Sequence, residues 1–142
     1  MPRTSYIRRM RASVFVILCI ALGFGPAGAA IGETMPAHAC RAVDGDTIRC
    51  GTEQIRISNI DAPELGNHAR CASEADLAER AKRFTAAWLA AGPVELARDV
   101  RRPRDRYGRT LAHVRTGGAD LGEALVAAGL ARRWDGRRRP WC

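Results

Sequence analysis

VDGDTIRCGTEQIRISNIDAPE, residues 43–64, decides the fold and holds most of the residues with reactive chemistry. Asp44-Gly45 is a turn dipeptide between short apolar or β-branched runs, and Gly45 can take the positive φ of a tight hairpin. A new strand then begins at Asp46. From Gln54 to Ile60 the residues alternate, with Ile55, Ile57 and Asn59 on one face and Arg56 and Ser58 on the other. Pro63 pushes Ala62 into extended backbone, so the strand runs out at Asp61 into a fixed loop whose carbonyls need partners outside the ladder. Asp46 and Asp61 then fall at the ends of neighbouring strands, beside the backbone carbonyl of Ala62. Hard cations such as calcium take all-oxygen sets of this kind, with water completing roughly six to eight positions. Taken singly, Asp-Gly-Asp and Asp-Ala-Pro-Glu are ordinary turn and strand-exit sequences. Together, with Asp44, Glu64 and Arg56 nearby and Asp105 to Arg109 further on, they point to a metal ion and a phosphate.

Working outward, a first strand is expected over 38–43, before the hairpin. After Glu64 comes a polar loop, Leu65 to Ala72, with His68 a plain loop residue. A helix follows, capped by Ser73 with Asp76 three residues on. Leu77, Ala81, Phe84 and Trp88 recur at helical spacing as a core stripe until Gly92-Pro93 stops it. Val94 to Ala97 forms a fourth strand and Thr110 to Arg115 a fifth, with Leu111 and Val114 turned inward. Between them lies RDVRRPRDRYGR, residues 98–109, where Pro103 and Gly108 mark turns. Asp120, with Glu123 in the box position, caps a second short helix that packs Leu121, Leu125 and Val126 and ends at Gly129. The stretch from Arg132 to Cys142 has no periodicity. Trp134 and Trp141 there either pack on the body or stack on bases, with packing favoured for Trp141.

The composition is globular, with 46% hydrophobic and 27% charged residues over 142 positions, and residues 1–29 stand apart from it. Arg3, Arg8, Arg9 and Arg11 form a basic start, Val14 to Phe24 an apolar core, and Ala27-Gly28-Ala29 a small-residue cleavage site. This is the pattern of a signal peptide cut before Ala30, leaving one domain over 30–142. A retained membrane anchor is the alternative, but Gly23, Gly25, Pro26 and Gly28 interrupt the apolar run. Without residues 1–29 the chain has 19 basic and 15 acidic residues, so its net charge falls from +8 to +4. The remaining arginines cluster at 98–109 and 132–139, a distribution that attracts a polyanion in a salt-dependent way.

Outside the leader the cysteines are Cys40, Cys50, Cys71 and Cys142, which allow three pairings. Cys40 and Cys50 are each five residues from Gly45, hence opposite each other across the hairpin. That favours Cys40–Cys50 and leaves Cys71–Cys142, a bridge over a long loop worth about 2 to 4 kcal/mol. A zinc site is disfavoured because no Cys-x-x-Cys pair occurs.

Five short strands, a helix after the third and a short helix after the fifth make a β-barrel with helices, an α+β fold of the five-stranded oligonucleotide-binding (OB) type. At this point the chain resembles the staphylococcal nuclease, or thermonuclease-like, family. The residues that carry the resemblance are VDGDTI (43–48), IRISNIDAPE (55–64), DRYGRTLAHV (105–114) and DLGEALVAAGLA (120–131). The resemblance covers roughly residues 41–131, most of the chain after the leader, and as an ordered set the motifs are specific. The resemblance implies a calcium-dependent nuclease acting on DNA and RNA with little sequence preference and leaving 3′-phosphate ends. It implies that Asp46, Asp61 and the Ala62 carbonyl bind calcium and that Asp44 orders the metal's waters. Arg56 and Arg109 would grip the scissile phosphate, Glu64 would act as general base, and Tyr107 would lie near the nucleotide. The hairpin is shorter than in the family's prototype, threonine there is Ala62 here, and neither the long C-terminal helix nor the base-stacking tyrosines have counterparts unless Trp134 substitutes. These departures bear on substrate affinity and base preference. No protein partner is implied, and a monomer is expected. The alternative is an OB-fold module of the same shape that binds nucleic acid without cutting it.

Overall fold

The computed structural model describes residues 32–142, so the expected leader lies outside the described residues. The strands are β1 (Glu33–Met35), β2 (Cys40–Ala42), β3 (Thr47–Cys50), β4 (Glu53–Ile57), β5 (Ile60–Asp61), β6 (Val94–Arg98), β7 (Thr110–Thr116), β8 (Ala119–Asp120) and β9 (Arg132–Arg133). Helix α1 (Ala72–Ala90) follows β5, and α2 (Leu121–Ala127) follows β8. The main sheet runs β1-β6-β7-β4-β3-β2 with β8 on the side of β7, while β5 and β9 form a separate ribbon. This is a curled, mixed half-barrel with two helices, the OB-like α+β arrangement expected. Its strands β2, β3, β4, β6 and β7 are the five expected strands. The short β1, β5, β8 and β9 were not legible, since two or three residues carry no period.

The β2–β3 hairpin has the expected register, with Cys40 opposite Cys50, and both disulfides, Cys40–Cys50 and Cys71–Cys142, are present. β4 then pairs with β7 in parallel, Ile55 opposite Thr110 and Arg56 opposite Leu111. That pairing closes the sheet over Ile48, Ile55, Ile57, Leu96, Val114, Leu121 and Leu125, each at most 1% exposed. Burying a side chain of this size contributes about 1.5–3 kcal/mol, so this cluster is the main source of cohesion.

Several local expectations need correction. The first strand spans only 40–42, because His38 has a left-handed φ of 71° and Val43 leaves the ladder to enter the turn. The third stops at Ile57, because Asn59 has φ 64°; this kink exposes Asn59 and starts β5 on a new course. Ser73 is not the helix cap: Cys71 occupies the cap position without a side-chain bond, fixed instead by its disulfide. The buried face of α1 is Glu74, Ala78, Ala81, Thr85 and Leu89, with Leu77, Phe84 and Trp88 packed at its edge. On β7 the inward residues are Thr110, Ala112 and Val114, so Leu111 is only half-buried. The Asp120 cap forms as expected, accepting the Glu123 amide at 3.0 Å.

Gly45 is constrained differently from what its sequence suggests. It has no positive φ; it is small because α1 presses against it. A Cβ there would lie 2.7 Å from Ala81 Cβ and 2.9 Å from Ala62 Cβ, and Thr85 Oγ1 donates to the Gly45 carbonyl at 2.9 Å. The turn carrying Asp44 and Asp46 is therefore seated on the helix rather than held by its own dihedrals.

One ion-pair cluster joins β1, β4 and β6. Arg98 donates to Glu53 at 2.7 and 2.9 Å and to Glu33 at 2.6 Å, and Thr110 donates to the same Glu53 carboxylate. The Arg98 and Thr110 hydrogen bonds hold the Glu53 carboxyl down to about 2, from an ordinary 4.5. A depressed acid contributes stability that is complete above its unfolded pKa and lost as pH falls through the folded one. Glu53→Gln should therefore weaken the protein above pH 4.5 and flatten its acid-unfolding curve between there and about pH 2. Urea midpoints measured across that window check it, and parallel wild-type and variant curves would refute it.

Candidate active site

A single cleft of about 970 Å³ lies where the Asp44–Asp46 turn, the exit of β5, the 98–109 loop and the 134–141 segment meet. Asp44, Asp46, Arg56, Ala62, Glu64, Tyr107 and Arg109 all line it. Asp61 is not on the wall itself; it sits behind Ala62, 4% exposed.

Asp46 is the hub. Its Oδ2 accepts the Ala62 amide at 2.8 Å, and its Oδ1 accepts Thr47 Oγ1 at 3.1 Å and a close ion-pair bond from Arg56. The Asp46 amide in turn bonds Asp44 Oδ1 at 3.1 Å, closing a local turn. Arg56 also reaches the Ile60 carbonyl at 3.2 Å and lies 3.6 Å from Asp61. The parallel register sets Arg109 on the strand beside it: Arg109 immediately precedes Thr110, the partner of Ile55. Arg109 Nη1 donates to Thr47 Oγ1 at 3.2 Å, so one hydroxyl links both guanidinium neighbourhoods through Asp46.

Asp105 builds the second guanidinium site. It accepts the Tyr107 and Arg109 amides at 2.9 and 3.0 Å and Arg109 Nε at 2.7 Å. Burial opposes its ionisation, but the hydrogen bonds from Arg109 outweigh it and leave the carboxyl below its usual range. Tyr107 is 68% exposed at the cleft mouth, with the Arg106 and Arg109 guanidiniums 4.7 and 5.4 Å from its ring centre. Such contacts hold a ring by cation–π attraction while leaving it open to a base or sugar.

On the acidic side burial is the dominant influence. Burial first, and repulsion from Asp46 second, push the Asp44 carboxyl up to about 6. Burial likewise raises Asp61 against the pull of Arg138, and Asp61 Oδ1 is buried with no hydrogen-bond partner. Among the described residues no three Asp, Glu, His or Cys side chains form a cage by themselves. What exists is two buried carboxylates, one of whose oxygens accepts no hydrogen bond, beside the Ala62 backbone, a hard-donor set that leaves room for water. That chemistry fits a divalent cation such as calcium, which keeps waters among its ligands, and not zinc, which favours nitrogen and sulfur.

Three contributors escaped sequence reasoning. Thr47 is the bridge just described. Glu74, 3% exposed in the first turn of α1, accepts the Glu64 amide at 3.2 Å and the Arg70 amide at 2.8 Å, fixing the loop that carries Glu64. Arg138 ion-pairs with Glu64 and lies 3.4 Å from Asp61. Glu74 had a signal, an acidic residue in the first helical turn, which is equally the mark of a solvated helix start, and Arg138 was visible only as one member of the 132–139 arginine cluster.

A curled OB-like sheet with an acidic and arginine-lined cleft is a known protein class, and comparison with known proteins names it. The chain belongs to the family described as staphylococcal nuclease homologue, whose model matches residues 54–140. That span takes in Arg56, Asp61, Glu64, Tyr107, Arg109 and Arg138, and begins after Asp44 and Asp46. The SPbeta prophage-derived endonuclease YokF of Bacillus subtilis (strain 168) is 35% identical over 96 residues, 65% of this chain and 32% of its own length. The thermonuclease of Staphylococcus intermedius is 36% identical over 96 residues, 65% of this chain and 55% of its own. That of Staphylococcus hyicus is 34% identical over 113 residues, 77% of this chain and 65% of its own. This chain thus spans less than two thirds of the length of these relatives.

The seat of Gly45 gives a direct test of how the acidic turn is held. Gly45→Ala should cost about 1–3 kcal/mol, as overpacking does when neighbours cannot yield, because the obstructing atoms are Cβ atoms fixed to backbone. A denaturant titration measures it; an unchanged midpoint would show that α1 does not restrain the turn.

Proposed function

We propose that this protein is an exported, calcium-dependent nuclease that hydrolyses phosphodiester bonds of DNA and RNA with little sequence preference. The observation that carries it is the meeting, in one cleft, of the Asp46 and Glu64 carboxylates with the guanidiniums of Arg56 and Arg109, with the buried Asp61 carboxylate 3.6 Å from Arg56. The names of the relatives, endonuclease and thermonuclease, support the same reaction class. Export is supported by the leader-like residues 1–29 and by two disulfides, which persist in oxidising compartments.

A phosphodiester repels the nucleophile that must attack it, so catalysis requires neutralised phosphate, a placed water and donors for the charge that builds on the equatorial oxygens. Asp46, Asp61 and the Ala62 carbonyl would hold calcium, with Asp44 ordering its waters; when bound, the ion supplies positive charge and a template. Arg56 and Arg109 present forked donors from adjacent strands. Paired hydrogen bonds to phosphate strengthen as its charge grows, which is differential binding of the transition state. Glu64, set by Pro63 and by the Glu74 bond to its amide, accepts the proton of the attacking water, typically a gain of ~10² to 10⁴. Tyr107 and Trp134, 68% and 39% exposed on the cleft rim, offer faces to sugars or bases. Stacking on any π-face suits a substrate range without sequence preference.

Cleavage of DNA and RNA by oxidised protein, with calcium and then with a chelator, tests the proposal. Glu64→Gln should keep calcium affinity and lower kcat roughly a hundredfold or more, whereas Asp61→Ala should weaken calcium binding and activity together. Salt-dependent binding without any turnover, or turnover indifferent to the chelator, would overturn it.

A further inference from the structure

Residues 134–142 form a clamped strap. At one end β9 pairs with β5, Asp61 opposite Arg132, and the Trp134 amide bonds the Asn59 carbonyl at 2.8 Å. At the other end Cys142 is bonded to Cys71 at the start of α1. The two ends are drawn together by Arg132, which donates to the Pro140 carbonyl at 2.9 Å and lies over the Trp141 ring at 3.8 Å. Arg138, four residues before Cys142, is the strap residue that enters the acidic cluster, contacting Glu64 and Asp61, and it lines the same cleft as Arg56 and Arg109.

We propose that Arg138 is a third phosphate-gripping guanidinium of this site, stored on Glu64 and Asp61 until metal and substrate arrive. The inference rests on the nuclease reading and extends it to a part of the chain that no motif marked. Arg56 and Arg138 share a situation: both are forked donors now held by carboxylates that the reaction needs free. With a dication held by Asp46 and Asp61, these carboxylates would no longer need the two guanidiniums for neutralisation, and like charge would disfavour their staying. Arg138 is then left beside the cleft on a strap closed by a disulfide, so it can turn to a phosphate but cannot drift away. Arginine is the side chain suited to that exchange, since one planar fork matches carboxylate and phosphate alike.

Two effects of opposite sign follow. In Arg138→Ala the carboxylates lose a competing cation, so calcium affinity measured by isothermal titration calorimetry should rise severalfold. The substrate loses a charged contact, so kcat/KM on a single-stranded oligonucleotide should fall roughly tenfold or more, carried mainly by KM. Arg138→Lys keeps the charge without the fork and should restore calcium affinity to near the wild-type value while recovering only part of kcat/KM. Circular dichroism melting of each variant confirms that the half-exposed substitution leaves the fold in place. Wild type that cleaves while Arg138→Ala cleaves equally well overturns this inference alone. A rise in kcat/KM in Arg138→Ala also overturns it, by showing the strap to be an inhibitory plug, and so does weakened calcium binding in that variant. Wild type that cleaves nothing with calcium overturns the nuclease reading and this inference with it.

Discussion

The contact between α1 and the Asp44–Asp46 turn is the constraint on which the site depends. Gly45 lies flat between Ala81 and Ala62, and Thr85 binds its carbonyl. Two methyl groups and one hydroxyl thus fix the height of the turn above the helix. From there Asp46 can reach the Ala62 amide and Arg56 together, and the β5 exit is drawn against the hairpin. Close approach of this kind is unforgiving, because interiors are packed densely enough that an added methyl has nowhere to go.

Given that position, charge explains the rest. Carboxylates are rarely buried unless paired or bonded, yet Asp46 and Asp61 are both 4% exposed. Asp46 is compensated by an amide, a hydroxyl and a guanidinium, whereas Asp61 Oδ1 accepts no hydrogen bond and is balanced only by the Arg138 and Arg56 guanidiniums at 3.4 and 3.6 Å. A missing hydrogen bond of this sort raises the energy of the folded chain by itself. Buried carboxylates of this kind occur at functional sites and in structural ion-pair networks alike, and their place beside a cleft lined by Arg56 and Arg109 is what supports the functional reading.

The hairpin, the Cys40–Cys50 pairing and the Asp120 cap were legible because each depends on local geometry or fixed spacing, whereas the carboxylates and arginines, spread over residues 44–109, could be grouped only through the family resemblance. Cys40 and Cys50 are equidistant from the turn, and Asp120 with Glu123 has the cap's own periodicity. What failed did so where distant packing overrode local preference. Gly45 looked like a residue chosen for its dihedral and proved to be one chosen for its size. Asn59 continued an alternation on paper but turns left-handed, which frees Ile60 and Asp61 to pair with β9. The 134–142 strap has no periodic pattern because two tethers shape it, and neither can be read from neighbouring residues.

The Cys40–Cys50 bond has a consequence for the accuracy of strand alignment. Side chains on a strand alternate faces, so a one-residue slip of β2 against β3 would turn the buried Cys40 toward solvent and change the length of the turn that carries Asp44 and Asp46. Such a slip would also carry the two sulfur atoms to opposite faces of the ribbon, beyond the reach of a covalent link. The bond can close only in the correct frame, which makes it a molecular vernier for the acidic turn it encloses.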